Sequence, residues 1–146
     1  MAATLNDWVE NRTVDQADNP VLQGNFAPVA QELDLKTLEV VGELPAELNG
    51  TLLRDGPNPI VPGPQYHWFS GEGMLHAIRL ENGIAKSYRN RWIRTSEVEG
   101  HLGLLAAPAM SPELLIQGSG GVNVIAHAGR VLALGELGYP LSLIHI

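Results

Sequence analysis

The stretch from Met74 to Ile93 constrains this chain more than any other part of it. β-Forming residues run up to Asn82-Gly83 and away from it again, and Asn-Gly supplies the two positive φ angles that a two-residue type I′ turn requires. An antiparallel hairpin is therefore expected. A second is expected where Val122-Asn-Val-Ile-Ala-His127 meets a turn at Ala128-Gly129-Arg130 and continues as Val131-Leu-Ala-Leu-Gly-Glu136, with Val122, Val124 and Ala126 on one face. Sixteen glycines and ten prolines are spread along the 146 residues, above the usual joint share of roughly 12%. Helical periodicity is poor, with one capped turn expected at Ser111-Pro-Glu-Leu-Leu-Ile116. The fold class read from this pattern is all-β, with hairpins and long loops of the kind that build propeller blades. Two hairpins and a wrapping arm leave too much surface uncovered for an independent all-β domain, so the architecture is expected to be incomplete.

Residues 1–24 are polar and aperiodic and read as an N-terminal arm. From Asn25 to Leu48, short apolar pieces alternate with Pro28 and Pro45, which cannot donate to a ladder; an extended segment along a sheet edge is expected. A net charge of −7 without any Lys/Arg cluster argues against nucleic-acid binding. The absence of cysteine excludes disulfides, thiolate nucleophiles and cysteine-held metals. The first residues lack the basic start and apolar stretch of a signal peptide, and the longest apolar run, Leu102 to Met110, is far short of a membrane span, so a soluble, cytoplasmic protein is expected.

The histidines are His67, His76, His101, His127 and His145. His67, Glu72 and His76 offer a His–carboxylate–His set on paper, but two glycines lie between the histidines and leave their separation unfixed; local hydrogen bonding is the favoured reading. His101 follows Gly100 in an expected loop. Gly71-Glu-Gly and Gly118-Ser-Gly-Gly lack the third glycine of a dinucleotide loop, and no Gly-x-Ser-x-Gly elbow is present. Arg54-Asp-Gly-Pro-Asn-Pro59 reads as a turn. Arg89, Arg91 and Arg94 read as a solvated or salt-bridged face, and Leu102 to Ile116 as buried loop packing, with a greasy lip for a membrane or an apolar substrate as the alternative.

Several motifs in order resemble the amino-terminal portion of the carotenoid cleavage oxygenase family, which includes carotenoid, apocarotenoid and stilbene-cleaving enzymes. They are Asn25-Phe-Ala-Pro-Val29, Gly42-Glu-Leu-Pro45 with Leu48-Asn-Gly50, Arg54-Asp-Gly-Pro-Asn-Pro59, Tyr66-His-Trp-Phe-Ser-Gly-Glu-Gly-Met-Leu-His76, Tyr88-Arg-Asn-Arg-Trp-Ile-Arg-Thr95, Asn123-Val-Ile-Ala-His-Ala-Gly-Arg130 and Leu132-Ala-Leu-Gly-Glu136. The resemblance covers about residues 25–140. Asp55 departs from it where Asn is usual, Ser70 and Glu72 where Asp is usual, and Gly135 where larger residues are common.

What the resemblance implies is a seven-bladed β-propeller carrying an iron(II) ion on four histidines, with dioxygen inserted at an alkene double bond of an apolar polyene or stilbenoid to give two carbonyl products. Those four histidines belong to later blades, and none of the five here matches them; no metal ligand is expected in this chain, and no iron on it alone. The resemblance makes Glu136 the carboxylate that accepts a hydrogen bond from an iron-bound histidine, and Phe69 an aromatic group facing the substrate tunnel, with core packing as its alternative. The expected architecture is a partial seven-bladed propeller: an arm over 1–24, the first one or two blades over 25–140, and a tail over 141–146. That tail, Leu141-Ser-Leu-Ile-His-Ile146, resembles a translated transposase sequencing adapter and is expected to be read-through of a truncated gene. A chain cut there is expected to be inactive. The competing readings are a non-catalytic propeller-like binding module and a genuine short structural protein.

Overall fold

The Asn82-Gly83 turn is the point from which the first sheet grows. The structure, a computed structural model, describes residues 19–36, 38–63, 66–104, 118–136 and 138–143. Asn82 and Gly83 have φ of +50° and +71°, joining β3 (Gly73–Glu81) to β4 (Ile84–Trp92) as the sequence predicts. β2 (Gly50–Pro57) pairs antiparallel along the length of β3, and the short β1 (Asp34–Leu35) pairs with the far side of β4. The sheet order is thus β1-β4-β3-β2. A Cβ on Gly83 would sit 2.7 Å from the Leu44 carbonyl oxygen and 2.8 Å from that of Pro45, so the turn needs glycine for space as well as for its dihedral.

One face of this sheet carries the core, in which Met74 and Trp92, cross-strand partners, pack with Ile60 and Val98 while Val29 and Leu102 close the edge. Val98 comes from α1 (Ser96–His101), a helix absent from the sequence reading. Thr95 caps it by accepting a hydrogen bond from the Val98 N–H, and Glu97 and Glu99 occupy its first turn. Six residues with one buried apolar anchor are too short to show a period, which is why it escaped notice. His101 is the last residue of this helix, not a loop residue.

The segment before β1 is held by side chains. Asn58 accepts from the Val29 N–H at 2.6 Å and donates to the Val29 carbonyl at 3.0 Å, pairing as a backbone would. Asn90, fully buried, accepts from the Leu33 N–H and donates to the Gln31 carbonyl. Glu32 accepts from the Trp92 N–H at 2.9 Å and lies 2.7 Å from the Arg94 guanidinium; Arg89 meets Asp34 at 2.8 Å. The arginine row is therefore a salt-bridged face, as the sequence reading favours. Of the extended, edge-following course expected for Asn25 to Leu48, Asn25 and Phe26 instead lie in a 3₁₀ turn (Gly24–Phe26), while the strap that follows reaches the sheet edge at β1, held by polar side chains because a proline-bearing strap cannot complete a ladder with its own amides.

Arg54-Asp-Gly-Pro-Asn-Pro59 is not a turn: its first four residues end β2, because they complete the ladder opposite Gly73 to His76. A second sheet, β5 (Asn123–His127), β6 (Arg130–Leu134) and β7 (Leu141–Leu143), is built on an Ala128-Gly129 turn with φ of +48° and +74°. Arg130 lies in the strand, one residue beyond the turn proper. Val122 and Ala126 are exposed and Val124 half-buried, and Ala133 is the one buried residue of this sheet. β7 takes three residues from the segment expected to be read-through, pairing Leu141 with Ala133. The sheets meet where Gly73 donates to the Ser119 carbonyl; a Cβ on Gly73 would sit 2.7 Å from that oxygen. The Ser111–Ile116 turn, most of Leu102 to Ile116, and most of the arm lie outside the described residues; of the arm, Pro20–Leu22 forms a 3₁₀ turn that buries Leu22.

Replacing Gly83 with Ala forces a β-carbon into the Leu44 and Pro45 carbonyls at a positive φ. Urea denaturation of Gly83→Ala is expected to show a loss of about 1–3 kcal/mol relative to the parent chain.

Candidate functional site

The end of β2, the loop from Asn58 to Gly71, α1 and the residue pair after β6 surround a broad open cavity of about 1290 Å³. Its wall carries Asp55, Phe69, Glu72, His76, His101 and Glu136. Glu136 lies in a bend two residues past β6, is exposed, and has no hydrogen-bond or ion-pair partner among the described residues. Phe69 is 86% exposed, and its ring stands 5.3 Å from that of His67. It sits at the tip of a tight turn in which Ser70 Oγ donates to the His67 carbonyl at 2.8 Å. Beside it, Phe26 and Trp68 meet as tilted rings with centroids 4.8 Å apart, giving this lip an apolar, aromatic character.

The structure does not gather His67, Glu72 and His76 into one ligand set. His67 Nδ1 accepts from the Phe69 N–H, and His76 Nδ1 lies 2.7 Å from the Tyr88 hydroxyl across β3 and β4. Burial, together with the nearby Arg54 charge, lowers the His76 pKa, which keeps this imidazole neutral at neutral pH. Burial raises that of Tyr88. His127 is exposed at the end of β5. Glu72 turns instead toward α1: its Oε2 accepts from the Ile60 N–H at 3.0 Å, and its Oε1 is 4.0 Å from His101 Nε2, with the Glu97 carboxylate close by. The Glu72 charge and, to a larger extent, burial raise the Tyr66 pKa.

Asp55 is the other group the sequence reading passed over. Both of its carboxylate oxygens are buried with no hydrogen-bond partner among the described residues. Desolvation raises its pKa from 3.8 to about 7, and the Gly56 N–H offsets this only in part. The one signal available in the sequence was the resemblance itself, in which Asn is usual at this position.

Residues 26–144 match the profile of the retinal pigment epithelial membrane protein family. The chain belongs to this family. A carotenoid cleavage oxygenase of Mycobacterium tuberculosis is 44% identical over 126 residues, covering 84% of this chain and 25% of that protein. The carotenoid 9,10(9',10')-cleavage dioxygenase of Crocus sativus is 34% identical over 146 residues, covering 82% of this chain and 27% of its own length. Among solved structures, the lignostilbene dioxygenase of Pseudomonas brassicacearum superposes with a TM-score of 0.71 at 27% identity, over 86% of this chain and 28% of that one. The apocarotenoid oxygenase of Synechocystis gives 0.62 at 27% identity, over 80% and 28%. The resemblance read from the motifs is thus the correct family, and the chain spans about a quarter of these relatives' length. Its architecture is mostly β, like theirs, with sheets that do not close on themselves. No helix among the described residues is long and apolar enough to cross a membrane.

An acid that titrates higher when folded holds more protons than the unfolded chain between pH 3.8 and about 7, so its contribution to stability falls as pH rises through that window. Asp55→Asn removes the ionisable group. In thermal melts the variant is expected to gain on the parent by about 1–2 kcal/mol between pH 5 and pH 8, the order of cost of one buried unpaired polar group.

Proposed function

We propose that this chain is the amino-terminal part of an iron(II)-dependent oxygenase that uses dioxygen to cleave an alkene double bond of a carotenoid, apocarotenoid or stilbene-like substrate, yielding two carbonyl products. In this reading, β1–β4 form a blade of a seven-bladed propeller, β5 and β6 begin another, residues 1–24 are an arm, and 141–146 are a foreign tail whose Leu141–Leu143 adds β7 to the edge of β6. The observation that carries the proposal is the family match over residues 26–144, together with relatives and solved neighbours that are oxygenases of carotenoids, apocarotenoids and lignostilbene by name.

The described histidines do not fit the iron. His67 and His76 are engaged locally, His101 faces carboxylates and His127 is exposed on a strand end, so nothing here supplies the four converging imidazoles the family resemblance calls for. In this reading the ligands lie on polypeptide that follows this portion, and the chain alone is expected to be without cleavage activity. What it contributes is cavity wall. Glu136, an unpartnered carboxylate at the cavity, is positioned to accept an N–H from a histidine of a neighbouring blade, fixing the tautomer and orientation of that ring. Phe69, exposed on the aromatic lip, offers an apolar face to a polyene.

The test is to read the gene past codon 140 and express the longer polypeptide. Four histidines at widely spaced strand ends are expected, and Glu136→Gln in that polypeptide is expected to lower kcat or iron affinity by about 10- to 100-fold with circular dichroism unchanged. A continuation without such histidines, or a Glu136→Gln protein matching its parent in both iron titration and turnover, rejects the proposal.

A further inference from the structure

Two donors on α1 and one on the loop before β3 converge on a point that the proposed reaction does not use. Glu97 and His101 are four residues apart and so project from the same side of the helix. Glu72 approaches from the other side, and one ligand atom from each of the three lies within 4.8 Å of the other two. Two features separate this grouping from a chance cluster of acids. Glu72 is anchored, with Oε2 bound to the Ile60 N–H and Oε1 left over on the side of His101. The His101 Nε2–Glu72 Oε1 separation of 4.0 Å is also too long for a hydrogen bond, whose heavy atoms stand about 2.7–3.2 Å apart. It stands at the upper end of the spacing of two donors on a shared cation, each about 2.0–2.2 Å from the ion and so roughly 3–4 Å apart, and any wider separation within the set closes by rotation of the exposed Glu97 side chain.

The charges point the same way. Glu97 has no ion-pair or hydrogen-bond partner among the described residues, and Glu72 has no partner of full positive charge, so two carboxylates face one imidazole without a compensating cation. We propose that Glu72, Glu97 and His101 form a binding site for a divalent first-row cation such as Zn²⁺, separate from the iron centre proposed above. One imidazole with two carboxylates suits Zn²⁺ or a neighbour in that row better than Ca²⁺, which prefers an all-oxygen shell. With three protein ligands, the remaining positions go to water. The ion pins α1 to the Asn58–Gly71 loop and so stiffens one wall of the cavity; it takes no part in cleaving substrate. The sequence reading expects no metal ligand in this chain; the proposal departs from it because His101 ends a helix that brings it beside Glu97 and Glu72.

Isothermal titration of the 146-residue chain with Zn²⁺ tests the site without reference to oxygenase activity. One saturable equivalent is expected, with binding weakened at least tenfold in His101→Ala and in Glu97→Gln and unchanged within twofold in His127→Ala. Both informative substitutions lie at exposed positions of α1 and leave the sheet content by circular dichroism as in the parent. Zn²⁺ is also expected to raise the melting temperature of the parent but not of His101→Ala. Absence of saturable Zn²⁺ binding by the parent, or binding retained by both His101→Ala and Glu97→Gln, overturns the proposal.

Discussion

The structure depends on two buried asparagines doing what a strand cannot. Pro28 removes one backbone donor in the segment leading into β1, and only two residues of that segment join the ladder, so its other half-buried amides and carbonyls need partners from elsewhere. Asn58 and Asn90 supply both a donor and an acceptor at the required places, and the carboxylate of Glu32 closes the remaining gap at the Trp92 amide. Each buried bond is worth only about 1 kcal/mol net, yet an unmet buried group costs about 1–3, so the strap is governed by what happens if one is removed. Asn58 also accepts the Trp92 indole N–H on its main-chain carbonyl, tying the strap to the core.

That fastening also fixes the cavity, because Pro28, Val29 and Asn58 form part of its wall beside Asp55 and Glu72. The site is thus made of two kinds of polar group. Asn58, which lines it, has both its side-chain donor and its acceptor paired. Asp55 and Glu136 have no side-chain partner for their carboxylates among the described residues. Phe69, Val41 and Ile125 of β5 are likewise exposed apolar side chains.

Local chemistry was legible in the sequence and long-range chemistry was not. Asn82-Gly83 announces its hairpin because the turn demands two positive φ angles within two residues, and Ala128-Gly129 does so nearly as well. The motif order named the family because many weak signals in series are specific. By contrast, α1 is too short for periodicity, and the Arg54–Pro59 run looks like a turn because its Pro and Gly density conceals a strand end. The partnership of Glu72 with residues 25 and 29 positions away depends on a tertiary fold that brings α1 back over the loop. Asp55 shows the limit most plainly: its isolation comes from what surrounds it, and its identity alone says nothing of that.

Hydrogen–deuterium exchange on the 146-residue chain and on its Asn58→Ala/Asn90→Ala variant addresses the central claim, that side-chain surrogates of a ladder hold the strap and with it the cavity wall. The account predicts slow exchange at the Val29 and Leu33 amides in the parent, and loss of that protection across residues 28–35 in the variant while the β3–β4 hairpin stays protected. Strap amides that exchange freely in the parent, or that stay protected in the variant, would contradict it.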